Sequence, residues 1–153
     1  MVKYMRALFS GVVALAIFLT GVTAIAAANT IVIDGTVASI PPDMGRIQEK
    51  DSRTFVPIRF VSEFLKNEVW YDAEIKTAAI ESGDDLIFIQ NSNAELNVIS
   101  KSTGVPRKIY MDTAAFIDAS ENRMYIPIRY LAESLGYVVG WDEGTQTVSL
   151  NKK

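Results

Sequence analysis

The chain has 153 residues, 15 of them basic and 18 acidic, and contains neither histidine nor cysteine. Those two absences exclude disulfides, zinc or copper sites of the usual nitrogen and sulfur type, and the commonest nucleophile and general-base pairs. The acidic balance argues against nucleic acid or an anionic membrane as partner.

In chain order, residues 1–28 come first: Lys3 and Arg6 form a positive head, Ala7 to Ala28 is almost wholly apolar, and Ala24-Ile25-Ala26 and Ala26-Ala27-Ala28 offer cleavage sites. This is a secretory signal pattern, and an uncleaved anchor is the competing reading because the run is long enough to span a bilayer. Without cysteine, a lipid-modified amino terminus is excluded. Cleavage before Asn29 leaves 125 residues, and the loss of Lys3 and Arg6 leaves 13 basic against 18 acidic, a net charge of −5. That length suffices for one domain with a real core. The expectation is a secreted protein at the cell surface, without contact to the membrane once the signal is removed.

Thr30 to Val37 reads as a strand ended by the Asp34-Gly35 turn, and a polar loop through Pro41-Pro42-Asp43 and the charged stretch 46–53 follows. Thr54 to Val56 is a short strand. Pro57, with a fixed φ and no amide proton to satisfy, opens a helix over Ile58 to Leu65, whose apolar Ile58, Val61, Phe64 and Leu65 recur at helical spacing. Asn67 is the candidate for the left-handed cap after it. Val69 to Tyr71 and Thr77 to Glu81 are strands joined by a turn at Asp72. Leu86 to Gln90, Leu96 to Ile99, Lys108 to Asp112 and Phe116 to Asp118 are four more, separated by Gly-, Asn- and Ser-rich turns.

From Arg123 the chain repeats itself. RTFVPIRFVSEFLKNEVWYDAEIKTAAI (53–80) lies over RMYIPIRYLAESLGYVVGWDEGTQTVSL (123–150) without a gap, and nine of 28 positions are identical. Chance would give roughly two at ordinary residue frequencies. Arg53 and Arg123, Pro57 and Pro127, Arg59 and Arg129, Glu63 and Glu133, and Asp72 and Asp142 are identical pairs, and Tyr71 with Trp141 keeps aromatic character. The fold class is therefore α+β, short antiparallel strands with one short helix per repeat. Two tandem pseudo-symmetric repeats, about 30–82 and 83–151, make up a domain over 29–153.

These motifs, Arg-x-aromatic-Val/Ile-Pro-Ile-Arg, a Glu four residues on, and then Val-x-Tyr/Trp-Asp, resemble the copper amine oxidase N-terminal domain-like family. Its members are tandem "stalk" modules of secreted and surface proteins in Gram-positive bacteria. The resemblance spans nearly all of the chain after the signal and implies a small antiparallel sheet around a helix, without catalysis or cofactor. The catalytic domain of those oxidases uses three histidines and a tyrosine that follows asparagine, and neither is present here.

Several residues are candidates for contact with a partner. Arg59 with Glu63, and Arg129 with Glu133, are i, i+4 pairs, either a recognition face or plain helix-surface ion pairs. Arg53 and Arg123 are expected to anchor turns, and Asp72 and Asp142 to cap them. Alternation puts Trp70 on the strand face opposite Val69 and Tyr71, where the second copy has Gly140. Trp70 beside Tyr71 could stack on a sugar or fill a partner's pocket, or it could pack between the copies. The acidic turns at Asp84-Asp85 and Asp142-Glu143-Gly144 lack the alternating ligands of a calcium loop.

The reading is a non-catalytic extracellular stalk or binding module that associates with cell-wall polysaccharide or another surface or secreted protein. No enzyme domain or wall anchor follows the repeats, which predicts such a partner. The alternatives are a secreted hydrolase working through carboxylates such as Asp72 and Asp142, and an inhibitor or partner of a secreted enzyme.

Overall fold

Asp34 and Gly35 both take positive φ, 46° and 78°, which turns the chain back on itself within two residues. The stretch 30–37 read as one strand is thus a hairpin, β1 (Thr30–Ile33) and β2 (Thr36–Ala38). The structure is a computed structural model and describes residues 30–153; the signal segment 1–28 and its cleavage point lie outside the described residues.

The polar loop holds a 3-10 turn at Pro42–Met44, and the charged stretch 46–53 expected to continue it holds a strand, β3 (Gln48–Lys50). Pairing is what overrides its polarity: Asp51 and Ser52, again both at positive φ, return the chain so that β3 lies antiparallel to β4 (Arg53–Pro57). Then come α1 (Ile58–Phe64), β5 (Glu68–Asp72) and β6 (Thr77–Ser82). The hairpin strands β7 (Asp85–Gln90), β8 (Glu95–Ser100) and β9 (Pro106–Tyr110) precede the short β10 (Phe116–Asp118). Seventy residues after β4 begins, the order strand, helix, strand, strand recurs as β11 (Arg123–Pro127), α2 (Ile128–Ser134), β12 (Tyr137–Asp142) and β13 (Thr147–Lys152).

Each proline ends its strand and caps its helix, with φ and ψ of −61° and 123° at Pro57 and −58° and 124° at Pro127. Each helix is seven residues long, too short to persist without its sheet. The helix exit in the first copy corrects the sequence reading. Lys66, not Asn67, takes the left-handed position, at φ 63°, where Gly136 stands at 85° in the second. Asn67 supports the exit from the next position, its amide Nδ2 donating to the carbonyls of Leu65 and Ser62.

Three sheets result, ordered β12-β13-β1-β2, β10-β11-β4-β3 and β5-β6-β7-β8-β9. The architecture is mostly β with two short helices, compatible with the α+β class. In the first sheet β1 runs parallel to β13, Ile31 beside Val148 and Ile33 beside Leu150, so the start of the described chain completes the sheet made by its end. In the central sheet β4 and β11 pair antiparallel, with Val56 opposite Ile126, Phe55 opposite Pro127 and Pro57 opposite Tyr125. Val56, Ile126, Ile31, Ile80, Ile87, Leu131 and Leu150 are buried in one cluster that draws on all three sheets. On the other face of the central sheet Phe116 packs on Phe55 and Tyr125, ring centroids 5.2 and 5.5 Å apart, under the Lys50 ammonium.

Candidate functional site

The β4–β11 register decides where the arginines of the motif fall. Because Tyr125 lies opposite Pro57, continuing the pairing carries Arg123 alongside Arg59 at the start of α1, and carries Arg53 alongside Arg129 at the start of α2. Each helix start therefore meets a strand start from the other copy. Two clefts lie at these meeting points.

The larger, with a volume of 410 Å³, is walled by Arg129 and Tyr130 of α2, Val139 to Trp141 of β12 and Arg53 with Glu49 of β4 and β3. Asp112 stands at its edge. The smaller, 150 Å³, repeats the plan with Arg59 of α1, Val69 and Tyr71 of β5 and Arg123 with Met124 of β11, and Met44 leans in. Trp141 and Tyr71 occupy matching places and are 45% and 43% exposed, so each cleft presents an aromatic face to solvent.

Their polar groups differ. In the larger cleft Arg53 is held by Asp112, Nε and Nη2 reaching Oδ2 at 2.8 and 2.5 Å, and its Nη1 donates to the Ser52 carbonyl at 3.1 Å. The hydrogen bond from Arg53 holds the Asp112 carboxyl below the usual range, and the same bond raises the Arg53 guanidinium. The Asp112 amide donates to the Tyr130 hydroxyl at 3.2 Å, which ties the pair to α2. Arg129 and Glu49 make no side-chain hydrogen bond or ion pair among the described residues. In the smaller cleft both guanidinium groups are engaged: Arg59 with Glu63 at 3.3 Å, and Arg123 with the Asp43 carbonyl.

Glu133 corrects the sequence reading. The ion pair expected between Arg129 and Glu133 is not formed, although its counterpart between Arg59 and Glu63 is. The Glu133 carboxylate is exposed and has no hydrogen-bond or ion-pair partner among the described residues, and its contribution to the helix exit comes from the backbone, where the Glu133 carbonyl accepts from the Gly136 amide at 3.1 Å. An exposed i, i+4 pair gains only about 0.3–0.5 kcal/mol, so little that the same spacing is paired in one helix and unpaired in the other. Glu133 lines neither cleft, and the Arg129 guanidinium has no hydrogen-bond or ion-pair partner among the described residues.

The sequence candidates are thus only partly united. Arg59 and Tyr71 share the smaller cleft, Arg129 lines the larger, and Trp70 lines neither. Trp70 is 46% exposed on the outer face of the five-stranded sheet, in a row with Ala79, Phe88, Asn97 and Lys108, away from the interface of the copies. Gly140 does not make room for it. It lies opposite Ser149, whose hydroxyl fills the space a Cβ would take. Trp141, Arg53 and Arg123, read from sequence as structural, line the clefts, and Glu49 and Asp112 went unnoticed. The signal for the arginines was the six-residue spacing Arg53 to Arg59 and Arg123 to Arg129 combined with antiparallel pairing of the two strands.

Asp72 and Asp142 act as turn caps. Asp72 Oδ1 accepts from the amides of Glu74 and Ile75 at 2.9 and 3.2 Å, and Asp142 Oδ1 accepts from the Thr145 amide at 3.0 Å. Asp84 accepts from Ser100 and Ser102, and Asp85 pairs with Arg107. Among the described residues no group of three or more Asp or Glu is arranged to hold a metal ion, and no helix is long and apolar enough to cross a membrane.

Comparison with protein families finds one whose model, described as copper amine oxidase N-terminal domain, matches residues 32–150. Comparison with curated proteins and with solved structures finds no match.

Proposed function

Because the chain belongs to the family of copper amine oxidase N-terminal domains, the non-catalytic portion of those enzymes, we propose that it is a non-catalytic extracellular module that binds at the cell envelope. It is exported by the signal at 1–28 and folds over 29–153 from two tandem pseudo-symmetric repeats whose axis passes between Val56 and Ile126. Its partner is wall polysaccharide or another surface protein of a Gram-positive cell. The observation that carries this reading is the 410 Å³ cleft, which has the size of a small-ligand site, an exposed indole and two charged side chains without partners among the described residues. The two aspartates suggested for hydrolysis are occupied with turn amides, so no geometry favours that alternative. The test is co-sedimentation of the purified chain with isolated Gram-positive cell walls at low and moderate salt. Saturable binding that survives salt is expected; absence of binding to walls and to wall-associated proteins alike would overturn the reading.

A further inference from the structure

We infer that the larger cleft is a subsite for an uncharged pyranose ring of a polysaccharide, and that the smaller cleft is not. The inference rests on the binding reading above and deepens it by naming the ligand class and the residues. A pyranose has a flat C–H face rimmed by hydroxyls that both donate and accept. Trp141 supplies a flat, half-exposed apolar surface with a polar edge for that face. Arg129 supplies a planar set of donors and Glu49 a pair of acceptors, and neither has a side-chain partner among the described residues, so both can turn to ring hydroxyls. The Arg53–Asp112 pair is already neutralised and lines the same cleft.

Charge selects the class. Arg53 and Arg129 are matched by Asp112 and Glu49, so the cleft carries no net charge and an acidic sugar would gain the Arg129 guanidinium only to face the Glu49 carboxylate. Nor does the cleft suit a nucleotide, for the same reason. The smaller cleft has Tyr71 in the place of Trp141 but less than half the volume, and both its arginines are engaged by Glu63 and the Asp43 carbonyl. It keeps the shape of the site without the free polar groups.

The chain has two tryptophans, so their indole N–H resonances report the cleft and the outer sheet face separately. The experiment is an NMR titration of the full chain, as secreted, with neutral tetraoses of N-acetylglucosamine, glucose and mannose, and with a tetragalacturonate. Saturable movement of the Trp141 indole with at least one neutral tetraose, and none at Trp70, is expected. Trp141→Ala and Arg129→Ala are expected to lose at least ten-fold in affinity, read from the backbone amides of the cleft, with Tyr71→Ala unchanged; retained dispersion of the backbone amide spectrum confirms that each variant is folded. Movement with the galacturonate alone overturns the uncharged class, and movement of Trp70 alone relocates the site. If no tetraose moves Trp141 while walls still sediment the chain, this inference fails and the envelope reading stands. If the walls fail as well, both fall.

Discussion

Gly45 offers the sharpest test of how the two copies are joined, because it sits against the second copy from within the lead-in to the first. It follows the 3-10 turn at φ 99° and ψ −153°, a region open in practice to glycine alone, so alanine there carries about 1–3 kcal/mol of backbone strain. A Cβ would also lie 2.7 Å from the Tyr125 hydroxyl, 3.0 Å from Pro57 Cγ and 3.1 Å from Arg123 Cδ. Tyr125 is fully buried, and its hydroxyl both accepts from the Arg46 amide and donates to Glu121, so it cannot step aside without loss. Overpacking of that kind costs about 1–3 kcal/mol more. Gly45→Ala is thus expected to destabilise the chain by about 2–6 kcal/mol, which at about 4 °C per kcal/mol for a domain of this size lowers Tm by about 8–24 °C. Gly83→Ala is the control. At φ 58° with nothing within 4 Å of its Cβ, it should cost only the left-handed penalty of about 1–2 kcal/mol. Urea unfolding at equal m-values measures both. Equal losses in the two variants would refute the claim that Gly45 is a contact between copies, as would a Gly45→Ala, Tyr125→Phe double variant whose cost is the plain sum of the singles.

Two further outcomes follow from the same interactions. The carboxyls of Asp84, Asp112 and Asp118 are held below the usual range by hydrogen bonds from Ser100 and Ser102, from Arg53, and from Ser120 and Gln48 respectively. Their stabilisation is complete above the unfolded aspartate value near 4 and is lost as pH falls through the folded values. Burial raises the Tyr125 and Tyr137 hydroxyls, whose contribution is complete below about 10 and lost as pH rises beyond it. With no histidine or cysteine to titrate between, Tm should be level from about pH 5 to 9 and fall on both sides; a step near pH 6.5 would contradict this. Ile31→Ala, which opens a cavity under the β1–β13 pair, should cost about 2–5 kcal/mol in urea unfolding, and a negligible loss would mean that β1 does not close the last sheet.

Local signals in the sequence were read well where one short-range force dominates. Pro57 and Pro127 mark helix starts because a proline needs no amide partner there, and the alternation in 85–100 marks strands because one face is buried against the core. Where pairing supplies the stability, the reading fell short. Gln48 to Lys50 is too polar to announce a strand and becomes one through its neighbour β4. The parallel β1–β13 pair joins residues more than a hundred apart, which no local pattern can express. Lys66 takes a left-handed position because the helix exit is imposed by packing common to both copies, and the side chain yields to it. Glu133 failed in the opposite sense: its spacing from Arg129 is right for a pair, but a surface ion pair is too weak for spacing alone to decide it.

The clefts were hidden for a related reason. Trp70 drew notice because it breaks the repeat, being tryptophan where the other copy has glycine. Trp141 keeps the repeat, aromatic opposite aromatic, and so reads as structural. Yet a site at the junction of two copies is made of what they share, since each copy must give its helix start and its strand start to the other's partner surface. Repetition of Arg53 and Arg59 as Arg123 and Arg129 therefore creates two junctions at once, and the departures from repetition decide which one is left open. Glu49 in β3 lies beside one junction and Met44 beside the other, while Asp112 restrains Arg53 and Arg129 has no side-chain partner among the described residues. The asymmetry between the two clefts thus comes from the variable lead-in segments, and the repeated motif supplies only the frame.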